Sequence, residues 1–582
     1  MSDDSDLLPR PRRVTRGAGT LSLAPDGMLP KAAGPDVRVD AGAAGLPAEG
    51  YRLVVTGERV AIEASDAAGA FYARATLDQL VRLHAADGAI PAMTIEDSPD
   101  FAERGVMLDV SRDKVPTMET VRRLIDELAS FKVNRLQLYL EHTFAYRGHE
   151  RVWADASPFT GDELEALDAY CRERFIELVP NQNSFGHMER WLKHPEYAHL
   201  AEVSPPVGDN MSLCPIDPEA PRFLAGLYDD LLPHFTSRSF NVGCDETVDL
   251  GKGRSSSAVE RLGRGRVYLD FVKQIHALVT ARGRRMQFWG DIVFEHPELI
   301  PELPDDVLAL EWGYEADHPF EIQGEKFAAA GIEFAVCPGT SAWLSLGGRT
   351  TNALGNLDAA ARSGLAHGAC GLLVTDWGDF GHWQPLPVSY LGLAYGASVA
   401  WCHAANRELD VARALDAHVF RDRAGALGGL ARDLGDVYRE TGVLVKNASV
   451  LALLLLFPER ALGEGRLKGL TVEGLERAEA RAASLASRLH EARCDRDDAG
   501  LLSDEFQLAA SLMRHACRFG IARIAAPGGA AQSIPKAGRN ALAAELAPVV
   551  AEYRRVWRLR NREGGLSDSA GRLDRLLRLY EE

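Results

Sequence analysis

The sequence predicts an α/β protein built on a (β/α)₈ barrel, preceded by a small α+β module and followed by a helical region. Three observations predict it. Between Arg104 and Trp377, eight short apolar runs alternate with amphipathic stretches, the signature of βα units around a parallel sheet. Eight such units over roughly 300 residues favour a closed barrel over an open doubly wound sheet. The segments on either side follow other periods, so the barrel has neighbours with their own architecture.

Residues 1–20 mix charge, proline and glycine without periodicity and read as a loose leader. Residues 21–97 form the small module: YRLVVTGERVAIEAS alternates like two strands around a glycine turn, and AAGAFYARATLDQLVRL takes a helical period. DSPDFAERG carries the turn and cap residues of a linker. The barrel spans residues 98–404, with strands RGVMLDV, NRLQLYLE, IELVPN, FNVG, MQFWG, VLALEW, EFAVCP and GLLVTDW. Helices are expected at METVRRLIDELASF, DELEALDAYCRERF, RFLAGLYDDLL and VYLDFVKQIHALVTARG. Thr160 and Glu163 have capping-box spacing at the start of the second. Residues 405–582 contain no strand pattern; NASVLALLLLF, TVEGLERAEARAASLASRLHEAR and EFQLAASLMRHACRFGIARI read as helices that pack on the barrel or on another subunit, leaving room for a homodimer.

At 582 residues the chain exceeds one hydrophobic core, and 46% hydrophobic with 25% charged residues is an ordinary globular composition. A formal net charge of −18 argues against general affinity for nucleic acid or anionic membrane and suits a neutral, sugar-like substrate. No run approaches the roughly 20 apolar residues of a membrane span, and MSDDSDLLPRPRRVTRG has no apolar signal core. A soluble, cytoplasmic protein is expected. The cysteines at 171, 214, 244, 337, 370, 402, 494 and 517 show no CxxC pair and read as reduced thiols. Cys244 adjoins an acidic pair, but no sequence-near histidine supports a nucleophile there, so packing is its expected role.

In a barrel of this kind, chemistry sits at the C-terminal ends of the strands. Asp-Glu pairs occur at 126, 162, 245 and 504. Three lie inside helical stretches, where a solvated face explains them. The fourth, in FNVGCDETVDLGKG, follows the fourth strand. On a regular strand two successive side chains face opposite ways, so the strand must end or kink there, and Gly243 permits the bend. Two adjacent carboxylates do not match the usual glycosidase pair, which flanks the scissile bond about 5–9 Å apart from different strands. They suit a substrate-assisted reaction, in which one carboxyl protonates the glycosidic oxygen and the other orients an attacking acetamido group. Neighbouring carboxylates also push their pKa values apart.

YRLVVTGERVAIEASDAAGAFYARATLDQL, ERGVMLDVSRD and NVGCDET, in that order, resemble glycoside hydrolase family 20, the β-N-acetylhexosaminidases, over most of residues 50–400. The resemblance implies Glu246 as general acid and base and Asp245 as the acetamide-orienting residue. It implies that Arg104 grips sugar hydroxyls, a salt bridge at the barrel floor being the competing use. Trp289, Trp312 and Trp377, at the ends of strands five, six and eight, would line the sugar pocket, against the default of core packing. Asp379 stands where the family pattern has a glutamate for distal hydroxyls. His187 matches the histidine of the family's PGH, with loop capping as its alternative, although Asn181, Asn183 and Phe185 replace acidic residues and proline. Glu141 is then a candidate partner for it. Trp343 occupies the usual place of an acetamide-binding tyrosine, for which Tyr314 could substitute.

The resemblance therefore implies an exo-acting, retaining enzyme on terminal β-linked GlcNAc or GalNAc. A barrel glycosidase acting on non-acetylated glycosides, pairing Glu246 with Glu141 or Asp379, and a catalytically silent sugar-binding protein are the alternatives. HxH and HExxH spacings are missing, so no metal and no cofactor are expected.

Overall fold

The computed structural model describes residues 6–40, 45–205, 211–291 and 295–582. Strands β1 (Arg13–Ser22), β2 (Asp36–Val39), β3 (Tyr51–Val55), β4 (Val60–Ala64) and β5 (Ala89–Asp97) form one sheet in the order β1-β5-β3-β4-β2. The expected hairpin is β3–β4, antiparallel from Tyr51↔Ala64 to Val55↔Val60. Its alternating Tyr51, Leu53, Val55, Val60 and Ile62 turn to the core, where helix α1 (Ala67–His84) packs Leu77 and Leu80. Asp66 caps α1 by accepting from the Gly69 amide.

The leader expectation needs correction. Residues 1–5 lie outside the described residues, but Arg13–Ser22 is a strand paired with β5 from Arg13↔Glu96 to Ser22↔Ala89. It is an edge strand with nearly all side chains exposed, so it has no apolar period to announce it.

The eight apolar runs become β6 (Glu103–Asp109), β7 (Arg135–Leu140), β8 (Glu177–Gln182), β9 (Ser239–Asn241), β10 (Arg285–Trp289), β11 (Leu308–Trp312), β12 (Phe334–Cys337) and β13 (Gly371–Asp376), closed into a parallel barrel. Closure runs through β13–β6, in register from Gly371↔Glu103 to Asp376↔Leu108. Burial on both faces explains the near-continuous apolar runs. Inside, a layer of amides closes the barrel beneath the site: Gln137 Oε1 accepts from Asn181 and Asn241, each at 2.9 Å, and Gln137 Nε2 donates to Gln287. Helix α2 (Met118–Ser130) and the helices Gly161–Arg172, Glu219–Leu231 and Arg264–Thr280 fall where expected, and the Thr160/Glu163 capping box is formed.

Beyond the helix Leu386–Trp401, buried from Pro387 onward, the chain is helical and lies on the barrel. The Thr117 amide donates to the Arg560 carbonyl at 2.9 Å, and Arg562 pairs with Glu163 at 2.9 Å. Two of the other Asp-Glu pairs depart from a solvated face. Glu505 is fully buried against Arg560 at 2.8 Å, and buried Glu127 meets Arg496 at 2.8 Å. Glu127 holds the helical region to the barrel through Arg496, whereas Glu505 joins two helices within that region. Among the described residues no helix is long and apolar enough to cross a membrane.

Candidate active site

Strand β9 stops at Asn241, and Gly243, Cys244 and Glu246 take positive φ values of 69°, 73° and 46°. This is the kink the adjacent carboxylates require. Gly243 also meets Asn183 closely: a Cβ there would stand 2.4 Å from its side-chain oxygen. The bend sends the two carboxylates to different surroundings. Asp245 is buried, receiving Asn183 Nδ2 at 3.3 Å and facing His187 Nε2 at 3.2 Å, whereas the Glu246 side chain is 43% exposed. Burial alone would raise the Asp245 pKa, but His187 and Arg112 hold it below the ordinary value. Burial alone would lower that of His187; the two carboxylates outweigh it and raise it well above the ordinary value. His187 Nε2 stands 3.4 Å from Glu246, so the ring bridges the pair.

Behind His187 stands Arg112, 3.3 Å from its Nδ1. Arg112 is the hub of the site. It pairs with Asp109 at 3.0 Å and Glu141 at 3.1 Å, and its guanidinium lies over the rings of Tyr139 and Trp377, 4.7 and 5.1 Å from their centroids. Asp109 also accepts from the Gly378 amide at 2.9 Å, which ties the end of β6 to the turn carrying Asp379.

Two expectations are corrected here. Arg104 begins β6, at the barrel end opposite to Asp245 and Glu246, and is committed there. It pairs with Glu49 at 2.7 Å, donates to the Lys132 and Phe101 carbonyls at 2.9 Å, and lies over Trp401. The cation at the site is Arg112, in the same motif ERGVMLDVSRD but after the strand. Its position at a C-terminal strand end was the signal that marked it. Glu141, expected beside His187, instead accepts from Tyr139 at 2.9 Å and pairs with Arg112, fully buried behind the cleft.

The aromatic expectations converge on one wall. Trp289 and Trp377 meet at 5.9 Å, and Trp312 stacks on Tyr314 at 5.2 Å. Trp377 Nε1 donates to the Tyr314 hydroxyl at 2.8 Å, placing that hydroxyl among the indoles. Trp343 packs edge-on behind Tyr314 at 5.1 Å and donates its N–H to Asn447 at 3.0 Å, so it buttresses the tyrosine. Asp291 was not foreseen. It closes the run Trp289-Gly290-Asp291, the same tripeptide that carries Asp379 three strands later, and lies in a cleft with Trp312 and Tyr314. Asp379 lines the adjoining cleft with Arg112, His187 and Glu246.

Burial raises Glu141 to about 7; burial with the charge of Asp245 raises Asp291 to about 7; and burial raises Asp379 to about 6. A carboxyl whose folded pKa is raised contributes stability that is full below its unfolded pKa and is lost as pH rises through the folded one. Stability from these three groups should therefore fall between about pH 4 and 7, Asp245 acting in the opposite sense. Glu141→Gln should flatten the dependence of Tm on pH in that window; an unchanged slope would refute its part.

The Cys244 thiol is buried, donates to the Val242 carbonyl at 3.6 Å and is pushed well above the usual thiol range, which suits packing rather than nucleophilic attack. All eight cysteines are free thiols. Among the described residues, no group of three or more His, Cys, Asp or Glu side chains is arranged to hold a metal ion.

A closed (β/α)₈ barrel with paired carboxylates and a tryptophan wall at its C-terminal mouth places the protein in the class of barrel glycoside hydrolases. The sequence pattern of the glycosyl hydrolase family 20 catalytic domain matches residues 101–390, and that of the family's domain 2 matches residues 27–98. The chain belongs to glycosyl hydrolase family 20. A β-hexosaminidase of Akkermansia muciniphila is 27% identical over 328 residues, 50% of this chain and 63% of that protein, so the match spans less than two thirds of the relative's length. The fold is similar to that of a Flavobacterium johnsoniae chitobiase, with TM-score 0.59 and 16% identity over 96% of this chain and 100% of that one. It is also similar to an exo-β-N-acetylglucosaminidase of Vibrio harveyi, with TM-score 0.57 and 17% identity over 72% of this chain and 77% of that one.

Proposed function

We propose that the protein is a retaining exo-β-N-acetylhexosaminidase that removes terminal β-linked GlcNAc or GalNAc with the substrate's own acetamido group as nucleophile. The observation that carries this reading is the division of the adjacent pair, with Asp245 buried against Asn183 and His187 and Glu246 turned into the open cleft.

In the first step Glu246 gives its proton to the glycosidic oxygen and the aglycone leaves. The acetamido oxygen bonds to the anomeric carbon, forming an oxazolinium ring whose N–H is held by the Asp245 carboxylate. In the second step Glu246 takes a proton from water, which attacks the same carbon and reopens the ring. Two inversions give net retention. Because Asp245 stays charged and preorganised, it stabilises the developing positive charge without rearrangement. Trp289, Trp312 and Trp377 would form the apolar wall around the acetamido methyl, Tyr314 would donate to its oxygen, and Arg112 and Asp379 would hold the distal hydroxyls.

The test uses chromogenic β-GlcNAc, β-GalNAc and β-glucoside substrates together with a thiazoline mimic of the cyclic intermediate. N-acetyl sugars alone should be cleaved, and the thiazoline should compete. Asp245→Asn should lower kcat about 10²–10³-fold and weaken thiazoline binding. Equal cleavage of the β-glucoside would defeat substrate assistance and make Asp379, in the same cleft as Glu246, the candidate nucleophile.

A further inference from the structure

The run NASVLALLLLF continues as the buried helix Val450–Leu456, but its first residue has a different surrounding. Asn447 lies beyond residue 390, where the match to the family's catalytic domain ends. It nevertheless lines both clefts of the site, the one with Asp291, Trp312 and Tyr314 and the one with Arg112, Glu246 and Asp379. The turn that carries it is pinned on several sides. Val445 and Ala448 bridge antiparallel, which leaves Lys446 and Asn447 at the tip. The Asn447 amide donates to Glu315 Oε1 at 2.6 Å, and Glu315, the residue after Tyr314, is held by Arg349 at 3.0 Å. Arg466 donates to the Lys446 carbonyl, and the Ser449 amide donates to the Leu344 carbonyl at 2.7 Å. Asn447 takes a φ of 54°, a left-handed backbone that asparagine adopts more readily than most residues.

The orientation of its side chain follows from chemistry. Trp343 Nε1 stands 3.0 Å from the carboxamide and can only donate, so the atom facing it is the oxygen. The amino group is then the part left over. Among the described residues it donates to no protein acceptor, and the side chain is half-buried, not sealed in the core. A carboxamide whose oxygen is fixed by an indole, on a backbone fixed by a carboxylate, offers its remaining N–H bonds at low entropic cost. In the reading above both clefts hold the terminal sugar, its acetamido group against Trp312 and Tyr314 and its distal hydroxyls against Arg112 and Asp379. A donor shared by the two linings is placed to meet that sugar.

We propose that Asn447, supplied by the helical region, is a binding residue of the active site that donates a hydrogen bond to an oxygen of the terminal N-acetylhexosamine. The inference rests on the hydrolase reading above, because that reading says what the two clefts hold. It gives the helical region a part in substrate recognition as well as in packing.

The experiment measures calorimetric binding of the thiazoline mimic, which carries no aglycone, to Asn447→Asp and Asn447→Gly. Aspartate keeps an oxygen for the Trp343 N–H and accepts the left-handed backbone but has no N–H to give. Glycine accepts that backbone and removes the side chain. Both should weaken thiazoline binding by about three- to tenfold, the scale of one hydrogen bond. The fall in kcat/KM should be the same for nitrophenyl β-GlcNAc and for a β-GlcNAc disaccharide, because the lost contact is to the sugar they share. A purely structural role would lower Tm and leave the thiazoline affinity of the folded variants unchanged. Unchanged affinity in both variants, or a loss confined to the disaccharide, would overturn the proposal, the second outcome by moving the donor to the leaving-group side. Wild-type protein that bound neither GlcNAc nor the thiazoline would defeat the hydrolase reading and this one with it, whereas normal wild-type binding with unaltered variants defeats this one alone.

Discussion

Glu246→Gln is expected to lower kcat for an unactivated β-GlcNAc disaccharide by about 10²–10⁴-fold, the range that general acid catalysis supplies. Glutamine keeps the shape and the place of the side chain in the cleft but has no proton to give to the leaving oxygen. The defect should therefore depend on the leaving group. With a dinitrophenyl glycoside, whose oxygen leaves without protonation, bond cleavage should be nearly unimpaired and the loss should move to the hydrolytic step, where Glu246 acts as base. A burst of dinitrophenolate followed by slow turnover is the expected record. A loss that is the same for good and poor leaving groups would remove Glu246 from the acid role.

Arg112→Gln should destabilise the barrel by about 3–5 kcal/mol and abolish most activity with it. Asp109, Glu141 and His187 all converge on this one guanidinium, and the carboxylates of Asp109 and Glu141 are almost wholly buried. Removing the charge leaves them facing one another without compensation, which costs more than the pairs contributed. Arg112→Lys separates the two effects. It keeps the charge, and so should recover much of the Tm, but it cannot reproduce the planar fork that reaches Asp109 and Glu141 together, so kcat/KM should stay low. A Tm and kcat/KM for Arg112→Gln equal to wild type would show that the hub carries neither duty.

How much of this was legible beforehand differs from one residue to the next, and each difference has a cause. All eight barrel strands could be read because burial on both faces makes their sequence continuously apolar. The Thr160 helix start could be read because its cap is local. Arg13–Ser22 could not, since an exposed edge strand carries no apolar period. Arg104 and Arg112 sit in one motif, eight residues apart, Arg104 at the start of strand β6 and Arg112 beyond its end, and resemblance alone favoured the first. Strand direction separates them: Arg104 enters the barrel floor and Arg112 leaves at the mouth. Likewise Glu127 and Glu505 looked like solvated helix faces until the segments carrying Arg496 and Arg560 were in place.

By itself the sequence determined the barrel, its flanking regions and the position of Asp245 and Glu246 after the fourth strand, because periodicity and chain order are local properties. Only the tertiary structure decided what each carboxylate faces. The left-handed turn from Gly243 to Glu246, and the convergence of His187, Arg112, Asp291 and Asp379 from other strand ends, are set by barrel closure. A carboxylate's chemistry depends on which charges and dipoles lie within a few ångströms, and those neighbours come from segments far apart in the chain.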